Sequence, residues 1–263
     1  MTGMPIWYEL MTPDPAAVAS FYKAVGGWTI PDGGGRSANG SEYRMMIRPD
    51  GGALGGVLTL SEEMAAHGTK PAWVPYFHVA DVDASIEALK AAGGAMHMPA
   101  TDLPVGRMAM VSDPQGAPFY MMLPIPPEGD PDAKSDVFDQ MRVGHVAWNE
   151  LNTDDAPGQE AFYTGLLGWT ISGEMPMPGD NTYHFLECEG TGIGAIGSMK
   201  PEGAPTMWQF YLRVLDIGAA QAAVEATGGK VLNGLHEVPG DDVIIIATDP
   251  AGARVGFVGK KGE

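Results

Sequence analysis

From Trp7 to Ile30, and again from Trp148 to Ile171, the chain carries Trp, Glu, Leu, Thr and Asp, then Phe-Tyr, then Gly-Trp-Thr-Ile, in one register without a gap. A match of that length makes the chain a duplication, so its fold must be one that a single unit can form twice. Chemistry is then expected at paired positions, with Trp7 and Glu9 answered by Trp148 and Glu150.

The length of 263 residues allows one large or two ordinary domains, and the repeat decides for two. Residues 5–12 have strand character and lead into Asp14-Pro15, a helix cap followed by proline at the first helical position. Val18, Phe21, Tyr22 and Val25 recur at helical spacing until Gly26-Gly27. Strands are predicted at 28–31, 43–48 and 53–60, then a polar loop around 62–70. A second unit opens with a strand from Trp73 to Val79 and a helix from Asp81-Val82-Asp83 to Gly93-Gly94. Strands near 95–98, 107–112 and 118–123 complete it, the last two joined by Asp113-Pro114-Gln115-Gly116. Residues 126–142, rich in Pro and Asp, read as a linker. The pattern then restarts, with Asp249-Pro250-Ala251-Gly252 where Asp113-Pro114-Gln115-Gly116 stood. The expected class is α+β, four βαβββ modules in two domains, 1–125 and 143–263.

Charge and cysteine narrow the function. Thirty-three acidic against 15 basic residues leave a net charge of −18, and phosphate neutralisation needs clustered Lys and Arg, so no nucleic-acid partner is expected. The one cysteine, Cys188, excludes an internal disulfide framework and a Cys-rich zinc site. No secretion signal is evident and no apolar run approaches the roughly 20 residues that span a bilayer, so we expect a soluble cytoplasmic protein without membrane contact. Asn39-Gly40-Ser41 matches a glycosylation triplet that carries no weight without secretion.

The Phe-Tyr before Gly-Gly-Trp or Leu-Leu-Gly-Trp, the Asp-Val-Asp helix start with its Gly-Gly end, and the Asp-Pro-x-Gly hairpins resemble the vicinal oxygen chelate superfamily. It includes glyoxalase I, the bleomycin-resistance proteins and the extradiol dioxygenases. The Trp-x-Glu-Leu opening and doubled domain are similar to its two-domain members labelled glyoxalase-like or hydroxylase. The resemblance implies that two modules form a curved mixed sheet around a cavity, with helices outside. Period-2 alternation then puts Trp7, Glu9 and Met11 on one face of their strand, and Trp148, Glu150 and Asn152 on one face of theirs.

Metal-dependent members of that superfamily draw ligands from the opening and closing strands of the modules. The corresponding positions here hold Trp7, Val74 and Tyr120 in one half and Trp148, Gln209 and Gly256 in the other, with no carboxylate at 55–57 or 195–197. A divalent cation wants three or more N or O donors. No cofactor is therefore expected, and a divalent metal is disfavoured unless a displaced site forms around Glu9, Tyr76 and His78.

The remaining candidates are Glu9 and Glu150 as general acid or base, since a carboxylate desolvated beside an indole has its pKa raised, and His78 as a weaker one. Trp7, Trp148, Tyr76, Tyr120, Gln209, Tyr211 and Arg213 are expected to bind ligand, with Arg213 suited to an anionic group. His184 and Glu187 stand three apart on a strand and face opposite sides, so the helical metal motif does not apply. His67 reads as solvated, and His236-Glu237 falls in a loop that relatives use as a lid. Two functions follow: a non-catalytic protein binding a small organic molecule, or a glyoxalase-like lyase or hydroxylase. The chain is expected to be a monomeric pseudo-dimer or a homodimer.

Overall fold

The computed structural model describes residues 2–37 and 40–262; Asn39 of the glycosylation triplet lies outside them. The first half runs β1 (Pro5–Thr12), α1 (Pro15–Gly26), β2 (Gly35–Arg36), β3 (Glu42–Ile47), β4 (Ala53–Thr59), α2 (Glu62–Ala66), β5 (Ala72–His78), α3 (Val82–Ala91), β6 (Ala95–Leu103), β7 (Gly106–Ser112) and β8 (Pro118–Pro124). The second runs β9 (Val146–Asn152), α4 (Ala156–Leu167), β10 (Thr170–Glu174), β11 (Tyr183–Cys188), β12 (Thr191–Gly197), β13 (Met207–Asp216), α5 (Ile217–Ala226), β14 (Lys230–Val238), β15 (Asp242–Thr248) and β16 (Arg254–Lys260). Two eight-stranded mixed sheets result, ordered β2-β3-β4-β1-β5-β8-β7-β6 and β10-β11-β12-β9-β13-β16-β15-β14. The α+β class and the repeated modules are as the sequence implied.

The helix boundaries follow from capping. Asp14 accepts from the amides of Ala16 and Ala17, Pro15 occupies the first turn, and Gly27 closes α1 in the left-handed region. In α4 the carboxylate of Asp155 accepts from the amide of Gly158, and Gly168 closes the helix in the same way. Asp81 and Asp216 cap α3 and α5.

Two segments differ from expectation. Residues 28–31 do not form a strand: only Thr29 bridges Ile47, and Pro31 has no amide to continue the ladder. The second copy has Ser172 at that place, and there β10 pairs with β11 from Thr170 to Glu174. The polar loop after β4 begins with a helical turn, α2, capped by the Ser61 hydroxyl on the amide of Met64. Within 126–142, Asp136 takes both ends of the buried Arg48 guanidinium at 2.9 and 2.6 Å.

The sheets follow the sequence halves, but compactness does not. One unit consists of the segment through Ile6, Pro75–Ser135 and Asn149–Trp208; the other is Trp7–Val74, Asp136–Trp148 and the segment from Gln209 onward. Each unit therefore joins one module from each half.

In the second unit Tyr22 of α1 packs edge-on to Trp28 and Trp73, and Phe21 packs against Phe257 of β16. The Trp73 indole donates to the Tyr22 oxygen at 2.8 Å, and the Tyr22 hydroxyl donates to Asp249 at 3.2 Å. The first unit repeats this chain: Trp208 donates to Tyr163 at 3.1 Å, and Tyr163 to Asp113 at 3.0 Å. Both aspartates are 2% exposed and also accept backbone amides of their own Asp-Pro-x-Gly turns. Removing a carboxylate from water without partners costs several kcal/mol, whereas each charge-assisted hydrogen bond returns only about 1.5–3. Several donors per aspartate are needed, and even so burial pushes both carboxyls above their ordinary pKa.

Candidate functional site

The opening strand of each copy carries a glutamate tied to a tyrosine from the third strand. In the second unit β1 presents Trp7 and Glu9, whose shared partner Tyr43 shows that they lie on one side of the strand. The Trp7 indole donates to the Tyr43 oxygen at 2.9 Å. A phenol has one proton, so Tyr43 directs its own toward the Glu9 carboxylate, to which it is hydrogen-bonded. Burial, then the Glu9 charge, push this phenol far above its ordinary pKa. Glu9 faces Gly56 in the parallel β1–β4 register, and a Cβ at Gly56 would overlap the Tyr43 hydroxyl. The missing side chain is what lets the phenol reach the carboxylate. Glu9 itself is 3% exposed.

In the first unit β9 presents Glu150 and Asn152. The Tyr183 hydroxyl donates to Glu150 Oε2 at 2.9 Å, and Asn152 Nδ2 donates to Oε1 at 2.7 Å. Glu150 is half-buried rather than sealed. Sequence reasoning did not single out Tyr43 and Tyr183 as glutamate partners, although both stand at the start of the strand paired with β4 or β12, Tyr43 second in β3 and Tyr183 first in β11.

The other expected residues divide between the units. In the first, Tyr76 and Tyr120 oppose each other across the β5–β8 register and stack at 4.1 Å and 18°. His78 ends β5 half-buried, its amide donating to Met4 O and its carbonyl accepting from Gly3 N. In the second, Gln209 accepts from Arg254 at 2.7 Å and donates to Phe210 O at 2.9 Å. Tyr211 belongs to an apolar cluster with Ala147, Ile246 and Val258, against which Trp148 packs. Arg213 donates to Gln140 O and grips Asp242 with both terminal nitrogens, so the anion it holds is a residue of this chain.

Among the other candidates, His67 Nδ1 meets Glu63 O inside α2, and His184 lies between Glu160 at 2.6 Å and Glu174 at 3.4 Å, away from any pairing with Glu187. The Cys188 thiol, pushed up to about 11 by burial, contacts Thr2 O and is no nucleophile at neutral pH. Two surface recesses, of about 370 Å³ beside Pro114, Asp155 and Phe162 and about 400 Å³ beside Glu237, Gly240 and Lys261, are lined by none of the expected site residues.

This chain belongs to the Glyoxalase/Bleomycin resistance protein/Dioxygenase superfamily, whose family model matches residues 6–120 and 142–257, one match per copy. It is 29% identical over 264 residues to the anthracycline biosynthesis protein DauV of Streptomyces sp. (strain C5), covering 90% of this chain and 86% of that one. Among solved structures it is similar to the Mn(II)-bound glyoxalase from Novosphingobium aromaticivorans, with a TM-score of 0.65 at 17% identity, covering 100% of this chain and 84% of that one. The 2,3-dioxygenase LapB from Pseudomonas sp. KL28 matches with a TM-score of 0.62 at 16% identity, over 100% and 94%. At these identities the two structures establish the fold alone.

A metal such as the one in that glyoxalase does not fit the donors present here. Where the superfamily resemblance puts ligands, Trp7 offers an indole N–H already given to Tyr43, Tyr120 is stacked on Tyr76, Gln209 is bonded to Arg254, and Gly256 has no side chain. Among the described residues no group of three His, Cys, Asp or Glu side chains is placed to hold a metal ion.

Proposed function

We propose that this protein binds a small organic molecule in aromatic, acidic sites and does so without a divalent metal. The observation that carries the reading is the hydrogen-bonded tyrosine–glutamate pair on each opening strand, Tyr43–Glu9 and Tyr183–Glu150, beside positions where a metal would need donors. Carboxylates whose oxygens accept from phenol and amide side chains are positioned for recognition rather than coordination. DauV, similar over nine-tenths of this chain, is named for anthracycline biosynthesis, which supports a flat polycyclic aromatic as the ligand class. Stacking suits the exposed part of an indole such as Trp7 or Trp148. Nucleic acid is left out of this reading on the net charge of −18.

The second reading, a lyase or hydroxylase with Glu9 or Glu150 as general acid or base, is favoured by one feature: Glu9 is buried at 3% exposure among aromatic side chains. Elemental analysis of protein purified without chelators separates the metal question from both. No stoichiometric divalent metal is expected. One equivalent per copy would contradict the proposal.

A further inference from the structure

The two copies differ where they are otherwise most alike. Two residues beyond the glutamate on the same face of the opening strand, the first copy has Met11 and the second has Asn152. Met11 is 2% exposed and apolar. Asn152 spends its amide N–H on Glu150 Oε1 at 2.7 Å, and that bond fixes the flip of its side chain, since the opposite flip would set oxygen against oxygen. The other end, Asn152 Oδ1, is buried, and no donor among the described residues reaches it. A buried acceptor left without a donor is costly, by an amount comparable to a lost hydrogen bond.

Gly197 shapes the same spot. It stands opposite Asn152 in the β9–β12 register, and a Cβ there would come within 2.8 Å of Asn152 Oδ1 and 3.0 Å of the Tyr183 ring. The glycine keeps room beside the unpaired oxygen. In the first copy the equivalent space is closed: Leu58 faces Met11, Trp7 fixes Tyr43, and Tyr43 covers Glu9.

We infer that the copies have divided their roles: Glu9 is sealed under Tyr43, and Glu150 with Asn152 forms the subsite that discriminates between ligands, selecting a molecule that brings an O–H or N–H donor to Asn152 Oδ1. This rests on the small-molecule reading above and names the working copy and the group it recognises. Asn152 is the specificity-determining residue. Glu150 orients it by accepting its amide N–H, while Tyr183 holds Glu150.

The test uses the full chain and three probes, unsubstituted anthraquinone, 2-hydroxyanthraquinone and 2-aminoanthraquinone, titrated against tryptophan fluorescence in the presence of chelator. The donor-bearing probes are expected to bind roughly tenfold more tightly than the bare ring system, the size of one satisfied hydrogen bond. Asn152→Met, which copies the first repeat, should erase that preference while keeping affinity for the bare probe. Glu150→Gln should weaken the preference more than Glu9→Gln does, in variants that thermal melting shows to be folded. Equal affinity of all three probes for the wild type, or a larger loss of the preference in Glu9→Gln than in Asn152→Met, would overturn the inference while small-molecule binding stood. If no probe binds, the small-molecule reading fails and this inference goes with it.

Discussion

The Tyr22 hydroxyl donates to the buried carboxylate of Asp249 across 227 positions of sequence, and Tyr163 makes the same bond to Asp113. Each bond joins the first helix of one half to the closing hairpin of the other, so the compact units are assembled from modules exchanged between the halves.

Removing either hydroxyl tests this latch. Tyr22→Phe leaves the Trp73 indole without its acceptor and Asp249 with backbone donors only, a loss expected at about 1–3 kcal/mol. Tyr163→Phe should cost less, because Asp113 keeps Gln159 Nε2 at 2.6 Å. Urea denaturation of the two variants gives the order directly.

Acid titration should show two opposed groups of aspartates. Asp242, held down by the hydrogen bond from Arg213, and Asp136, held down by Arg48, have folded pKa values below their unfolded ones. Their stabilisation is present above about pH 4, the ordinary carboxylate range, and is lost as pH falls through the lowered folded values. Asp113 and Asp249 are raised by burial, so their contribution is fully present below about pH 4 and is lost as pH rises through the raised folded values. Asp242→Asn should flatten the stability profile on the acid side, below about pH 4, and Asp249→Asn on the side above it. Denaturant midpoints across the acid range measure both, and a flattening on the opposite side in either variant would contradict the assignment.

Gly56→Ala should destabilise by about 1–3 kcal/mol, since the new methyl must displace the Tyr43 hydroxyl from Glu9. Gly234→Ala is the control, with open space around its Cβ position and no left-handed backbone requirement, and should be close to neutral. Thermal melting of the two separates overpacking from the general effect of removing a glycine.

Much of this was legible in the sequence, and the parts that were not share a cause. The repeat, the Asp caps at 14, 81, 155 and 216, and the common face of Trp7 and Glu9 are local patterns, set by helix and strand periodicity. That α1 packs with the last module rather than its neighbour has no local signature, because either pairing buries the same apolar face. The β-prone run 28–30 reads as a strand, but Pro31 has no amide to carry the ladder on, and the structure keeps only the Thr29–Ile47 bridge. Arg213 was legible as an anion-holding side chain, but not that Asp242 supplies the anion, since that pairing depends on β15 lying within reach. The same holds for Tyr43: its strand was predicted, its reach over Gly56 to Glu9 was not.

The most direct test of the central claim is the affinity of 2-hydroxyanthraquinone, read from tryptophan fluorescence, in chelator-treated protein and in the same protein resupplied with Mn(II). Saturable binding with one dissociation constant in both samples is the predicted result. Binding that vanishes with the chelator and returns with the metal would contradict it.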